Sequence, residues 1–179
     1  MTLKFARPPL QMVLALSLIA VTFFGASPPA LAAFSDGEIS QILKSTNDVN
    51  VAAGNYAFKQ ASQPTVKAFA KGLITRQEKL QKEILRWAES AKVKLAGSEK
   101  SKSLKDQAEI ELLLLSKSKS DFDKDYLSFQ VKQDEQMLKT FDEELIPGAQ
   151  HKALKKILNQ ARNNLQNRLE RAKKIQAQL

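Results

Sequence analysis

The sequence contains no cysteine and a single histidine, His151, among its 179 residues. Without cysteine the chain forms no disulfide, no thiolate metal site and no cysteine nucleophile. One histidine removes most metal and acid–base chemistry. Neither a glycine-rich phosphate loop nor a Gly-x-Ser-x-Gly nucleophile motif occurs. We therefore expect no catalytic residue, no metal ligand and no cofactor, and interpret the chain as non-enzymatic.

Glycine and proline are also scarce, with six of each, and four of the six prolines lie within the first 30 residues. So few helix breakers in the remainder favour long helices over many short strands. Charged residues make up 26% of the chain and hydrophobic residues 43%, which is ordinary for a globular protein. The length suits one compact domain.

The first 32 residues have the three parts of a secretory signal peptide. Lys4 and Arg7 give a positive start, residues 10–24 are apolar, and residues 28–32 (PPALA) end in a small-x-small cleavage pattern. A membrane anchor is the alternative, but the apolar run of about 15 residues is shorter than the roughly 20 that span a bilayer. We expect cleavage near Ala32, a mature domain over residues 33–179 without a transmembrane segment, and a periplasmic or secreted location.

Residues 64–91 carry the clearest helical pattern. Eight positions follow one another at steps of four and three, and only Gln77 among them is polar. Such a stripe belongs to a helix whose apolar face is covered by other helices. The eight positions are Val66, Ala70, Leu73, Gln77, Leu80, Ile84, Trp87 and Ala91.

Three more segments repeat this spacing. We predict helices from a Ser35 or Asp36 cap to Ala61, from Ser120 to Pro147, and from His151 to the end of the chain. Ser62 or Gln63 is expected to cap the second helix, because Pro64 suits a first-turn position. A short extra helix from Ser103 to Leu115 is expected to lie as a lid across one end. The predicted fold is all-α, an antiparallel four-helix bundle.

Three motifs resemble a widespread family of bacterial proteins: residues 54–57 (GNYA), 62–70 (SQPTVKAFA) and 122–127 (FDKDYL). Members of that family are exported, ferritin-like four-helix bundles of unknown function, and they are commonly labelled outer membrane proteins. The resemblance covers residues 35–179 and implies a ferritin-like bundle outside the cytoplasm. A mature chain without barrel strands or a lipid anchor does not fit the outer-membrane label.

The sequence departs from that family at four places. Members tend to carry histidine in helix two, in the third long helix and in the last helix, and glutamate in helix one. The matching residues of this chain are Gln77, Asp134, Arg168 and Asn50. Metal or proton chemistry that the resemblance implies through those histidines is therefore not expected here.

The same four residues interrupt the apolar stripes, one on each long helix, and predict one buried polar layer. A lone buried charge costs several kcal/mol, so we expect Asp134 and Arg168 to form a bidentate pair with Gln77 as a neighbour. In the alternative, Arg168 reaches the surface and Asp134 is half exposed. The layer is interpreted as fixing helix register; a ligand site is the second interpretation.

The last helix is strongly basic, with eight lysines and arginines against Glu170 alone. Four of these form a candidate anion-binding face: Lys155, Lys156, Arg171 and Lys173. Its ligands would be phosphates of phospholipids or lipopolysaccharide. The acidic third long helix lying alongside is the alternative explanation. Nucleic acid is not expected, because no aromatic residues alternate with these cations.

The sequence thus favours an exported, non-enzymatic helical bundle that acts as an interaction or envelope-stress module. A binding protein for an anionic envelope component, held by the last helix, is the alternative function. The expected partner is an unidentified protein or that anionic component.

Overall fold

The computed structural model describes residues 34–118 and 121–179. Within these ranges the regular secondary structure is helical and includes no strand. The predicted signal peptide over residues 1–32 and the predicted helix start at Ser120 lie outside the described residues. The helices are α1 (Asp36–Gln60), α2 (Pro64–Ser90), α3 (Glu99–Ser116), α4 (Phe122–Thr140), a π-helical segment (Phe141–Leu145), α5 (Ile146–Gly148) and α6 (Lys152–Gln176).

Helix α1 begins with a capping box. The Ser35 hydroxyl accepts a hydrogen bond from the Glu38 N–H, while the Glu38 carboxylate accepts one from the Ser35 N–H at 2.9 Å. The helix ends at Ala61, as predicted. Its buried surface is wider than one stripe at steps of four and three, because Ile42 and Val49 are buried as well as Ile39 and Leu43. The extra width arises because α1 packs against α2 on one side and α3 on the other.

Neighbouring long helices run in opposite directions. The start of α1 lies beside Lys94, which follows α2, and Gly54 near the end of α1 lies beside Ile74 in the first half of α2. Helices α4 and α6 are also antiparallel, since Arg162 pairs with Asp142 and Gln176 bonds Ser128. Helix α6 packs on α2 as well.

The prediction for α3 is wrong in two respects. The helix begins at Glu99, four residues before Ser103, because Ser98 and Ser101 form a capping box there. It also runs lengthwise instead of across one end: Lys100 contacts Glu144, and Gln107 accepts a hydrogen bond from Gln136. The cause is an apolar stripe at steps of four and seven that is buried against the other helices: Leu104, Ala108 and Leu115.

At the starts of two helices, backbone N–H groups donate hydrogen bonds to carboxylates of other helices. Gln63 is the N-cap of α2 but makes no side-chain cap, and the Asp123 carboxylate instead accepts bonds from the N–H groups of Ser62 and Gln63, the latter at 2.8 Å. The predicted N-cap position at Gln63 is therefore confirmed, but the capping hydrogen bonds go to Asp123. Asp36 plays the same role at the start of α6, accepting from the N–H groups of Gln150 and His151. Unpaired N–H groups at a helix start favour a negative partner.

The end of α4 contains a feature that the spacing did not predict. Residues 141–145 form one π-helical turn, in which hydrogen bonds skip one residue more than in an α-helix. The wider turn lets Phe141 and Leu145 both stay buried. The helical segment then ends at Pro147 and Gly148, as predicted.

In the described parts of the chain, none of the helices is both long enough and apolar enough to cross a bilayer.

Gly37 is predicted to be essential for the contact between α1 and the segment after α2. A Cβ atom at this position would lie 2.3 Å from the Lys94 carbonyl oxygen, and the Ala96 N–H bonds the Gly37 carbonyl. We expect Gly37→Ala to lower the free energy of unfolding by about 1–3 kcal/mol because backbone must move. Gly97→Ala is the control, since a Cβ there meets nothing within 4 Å. Urea denaturation measures both, and equal midpoints would contradict the tight contact.

Candidate functional site

Asp134 of α4 and Arg168 of α6 form a bidentate ion pair between their helices. The Arg168 Nε donates to Asp134 Oδ2 at 2.8 Å, and Nη2 donates to Oδ1. Asp134 is 0% exposed and Arg168 8%. The predicted pair is therefore present, and the alternative, in which Arg168 reaches the surface, is wrong. Antiparallel packing of α4 on α6 brings the two side chains to the same height.

Burial and pairing act in opposite directions on these two groups. Burial raises the pKa of the Asp134 carboxyl above its ordinary value, and the Arg168 charge offsets this only in part. Burial lowers the pKa of the Arg168 guanidinium, but the Asp134 charge and hydrogen bonds outweigh that effect and raise it. The carboxylate thus depends on its arginine to stay ionised in the core.

Gln77 and Asn50 lie near Arg168, but they do not complete the hydrogen-bonded layer that the sequence predicts. All three residues line one cavity of about 50 Å³ between α1, α2, α4 and α6. Gln77 is buried, whereas Asn50 is only half-buried, so its assignment to a buried layer is wrong. Neither side chain makes a hydrogen bond to another described residue. The lining residues of this central cavity are Leu43, Thr46, Asn47, Asn50, Arg76, Gln77, Leu80, Met137, Phe141, Ala161, Asn164, Leu165 and Arg168.

Three further polar residues are buried that the sequence did not indicate as site residues. The side-chain atoms Asn47 Nδ2, Tyr126 Oη and both amide atoms of Gln130 have no hydrogen-bond partner among the described residues. Burial raises the pKa of the Tyr126 hydroxyl, and the Arg168 charge opposes this. Tyr126, Gln130 and Asp134 are spaced by four residues on α4, and that spacing was the available signal.

The only histidine of the sequence, His151, is the N-cap residue of α6. His151 Nδ1 accepts a hydrogen bond from the Ala153 N–H at 3.2 Å and one from Trp87 Nε1 at 3.4 Å. The His151 and Trp87 rings also pack edge to face. Over residues 34–118 and 121–179, no group of three or more histidine, cysteine or acidic side chains is arranged to hold a metal ion.

The candidate anion-binding face divides into free and paired cations. Lys155, Lys156 and Arg171 are exposed and form no ion pair with a described residue. Lys173 instead contacts Glu135 of α4 at 2.6 Å, so α4 neutralises part of the face. Arg162 is similarly paired with Asp142. We call Lys155, Lys156 and Arg171 the basic face from here on.

Comparison with known protein families identifies one match. The profile of DUF4142, a domain of unknown function, matches residues 24–175. The chain belongs to the DUF4142 family. No curated protein and no solved structure matches the chain. Family membership thus covers all the residues of the central cavity and the basic face without assigning them an activity.

Replacing Asp134 by asparagine is predicted to destabilise the protein strongly. The substitution keeps the shape of the side chain but leaves the Arg168 charge buried without a counter-charge, which costs about 3–5 kcal/mol. Glu135→Gln is the matched control on the next residue, where an exposed pair with Lys173 contributes at most about 1 kcal/mol. Chemical denaturation followed by circular dichroism measures both variants. Similar small losses for the two would show that the Asp134 charge is not important for stability.

Proposed function

We propose that the chain is an exported, non-enzymatic interaction or envelope-stress module, whose partner is an anionic component of the bacterial cell envelope. The signal-peptide pattern of residues 1–32 supports export to the periplasm or beyond. A non-enzymatic role is supported by the structural use of the sole histidine and of the buried Asp134–Arg168 pair. We also propose that α1, α2, α4 and α6 form an antiparallel, ferritin-like four-helix bundle with α3 on its outside.

The separation of charge between helices is the observation that supports an anionic partner. Helix α6 has eight basic residues and one acidic residue, and its neighbour α2 has six basic and three acidic residues. Helix α4 with the π-helical segment carries seven acidic residues against three basic ones. Since α4 pairs with only part of α6, the basic face remains free for phosphate groups.

The three cations of the basic face are too widely spread over the exposed side of α6 to hold one small ligand. They are exposed on one helix, and Lys155 lies 16 residues, or roughly 24 Å, from Arg171 at 1.5 Å per residue. Each lysine or arginine close to an anionic membrane surface contributes about 1 kcal/mol of attraction, and this attraction falls with salt. An unidentified protein is the second candidate partner.

Charge reversal on the basic face tests this proposal. The triple variant Lys155→Glu, Lys156→Glu, Arg171→Glu is expected to lose binding to phosphatidylglycerol vesicles, which the unmodified protein binds at low salt and releases at high salt. These cations pair with no described acidic residue, so the variant should stay folded. Vesicle co-sedimentation measures the bound fraction, and vesicles of phosphatidylcholine alone are the lipid control.

A matched protein control carries the same total charge. Lys59→Glu, Lys102→Glu and Lys117→Glu change three exposed lysines on α1, on α3 and directly after α3, away from α6. This control should bind vesicles like the unmodified protein if the position of the charge matters. Equal loss in both triple variants, or salt-independent binding, would contradict an electrostatic role for the basic face.

Export is tested by sequencing the N-terminus of the protein recovered from outside the cytoplasm. Cleavage near Ala32 predicts a mature chain that begins at Ala33. Ala32→Trp should block cleavage, because the position before the cut requires a small side chain. An exported protein that still begins at Met1 would contradict the signal-peptide interpretation.

A further inference from the structure

The central cavity is lined by several polar side chains as well as by apolar ones. Asn47, Gln77 and Arg168 are buried polar residues on three different helices that contribute to this lining. The Asn47 Nδ2 group is buried and has no hydrogen-bond partner among the described residues. A buried donor without a partner costs about 1–3 kcal/mol, and a half-turn of the Asn47 amide, which exchanges Nδ2 with Oδ1, would let an acceptor inside the cavity recover that cost.

Arg168 presents a second binding edge beside its ion pair. Its Nε and Nη2 atoms donate to Asp134, whereas Nη1 has no hydrogen bond to any residue in the described ranges. A guanidinium carries five N–H groups in a planar fork, so the edge formed by Nη1 and Nη2 stays available. That edge matches two oxygens of a carboxylate or phosphate.

The charges around the cavity favour a negative occupant. Asp134 balances Arg168, which leaves Arg76 of α2 as the further charged residue in the lining. Arg76 is exposed and forms no ion pair with a described acidic residue, so its charge lies at the mouth of the cavity. An entering anion would meet Arg76 first and then the donors of Asn47 and Arg168.

The volume limits the size of the occupant. A water molecule needs about 10–15 Å³ of cavity volume. The cavity of about 50 Å³ therefore has room for roughly four water-sized groups. We propose that the central cavity binds one small oxyanion of about four or five heavy atoms, a monocarboxylate or inorganic phosphate. Its oxygens accept hydrogen bonds from Arg168 Nη1 and Asn47 Nδ2, and Arg76 supplies charge at the entrance.

Isothermal titration of the purified protein with acetate and, separately, with phosphate tests the site. We expect one binding event per chain with a Kd below about 1 mM for at least one of the two anions. Binding of acetate alone identifies a carboxylate site, and binding of phosphate alone identifies a phosphate site. If neither anion binds at about 10 mM, the proposal is wrong.

Two variants link the binding to the cavity. Arg76→Gln should weaken binding about tenfold, since a hydrogen bond or contact to a charged group is lost. Arg86→Gln on the same helix, which removes the same charge away from the cavity, should leave the Kd unchanged. Asn47→Ala should weaken binding roughly fivefold while the fold persists, because the removed amide nitrogen has no partner among the described residues.

The basic face provides the last control, because it could also attract anions. The triple variant of Lys155, Lys156 and Arg171 should keep the Kd for acetate or phosphate, and binding should persist in 0.5 M chloride, about a level at which exposed charges are strongly screened. Loss of binding in that triple variant, or an unchanged Kd in both Arg76→Gln and Asn47→Ala, would overturn the proposal.

Discussion

The structure depends on one buried ion pair between antiparallel helices. Asp134 and Arg168 lie in the core at positions that would otherwise be apolar, and each has the other as its counter-charge. Removing two charges from water costs several kcal/mol per ion, and only the bidentate geometry recovers it. A shift of α6 along α4 by one turn would separate the two charges inside the core. The pair therefore restricts these helices to one register.

The helix ends impose a similar restriction from outside the core. Asp123 at the start of α4 accepts hydrogen bonds from N–H groups at the start of α2. Asp36 at the start of α1 accepts hydrogen bonds from N–H groups at the start of α6. Each contact joins the starts of two helices that run in the same direction. Together with the ion pair, these contacts define the register at both ends and in the middle.

Periodicity predicted the long helices well, because steps of four and three report directly on the buried side of a helix. The apolar stripes also revealed the Asp134–Arg168 pair, since two opposite charges on such stripes can be buried only together. Sequence spacing contains no information on which neighbour covers a helix. The extent and direction of α3 were therefore missed, and so was the second buried side of α1 at Ile42 and Val49.

Tertiary contacts explain the other differences. The Asp123 cap joins residues 60 and 61 positions apart, so local capping rules could not find it. Asn47 and Gln130 lie beside the predicted stripes instead of on them, and each is buried by the additional packing of α1 or α4. Asn50 was placed in the layer by spacing alone, although its side of α1 is only half covered. The cavity itself arises from the shapes of side chains on four helices, which no single stripe describes.

The most direct test of the ion pair is a double-mutant cycle with Asp134→Leu and Arg168→Met, measured by chemical denaturation. Asp134→Leu leaves the Arg168 charge unpaired in the core, and Arg168→Met leaves the Asp134 carboxyl group there without its partner. The double change removes both polar groups and keeps apolar volume. The account predicts that the double variant is more stable than either single variant. Additive losses, with the double variant least stable, would contradict it.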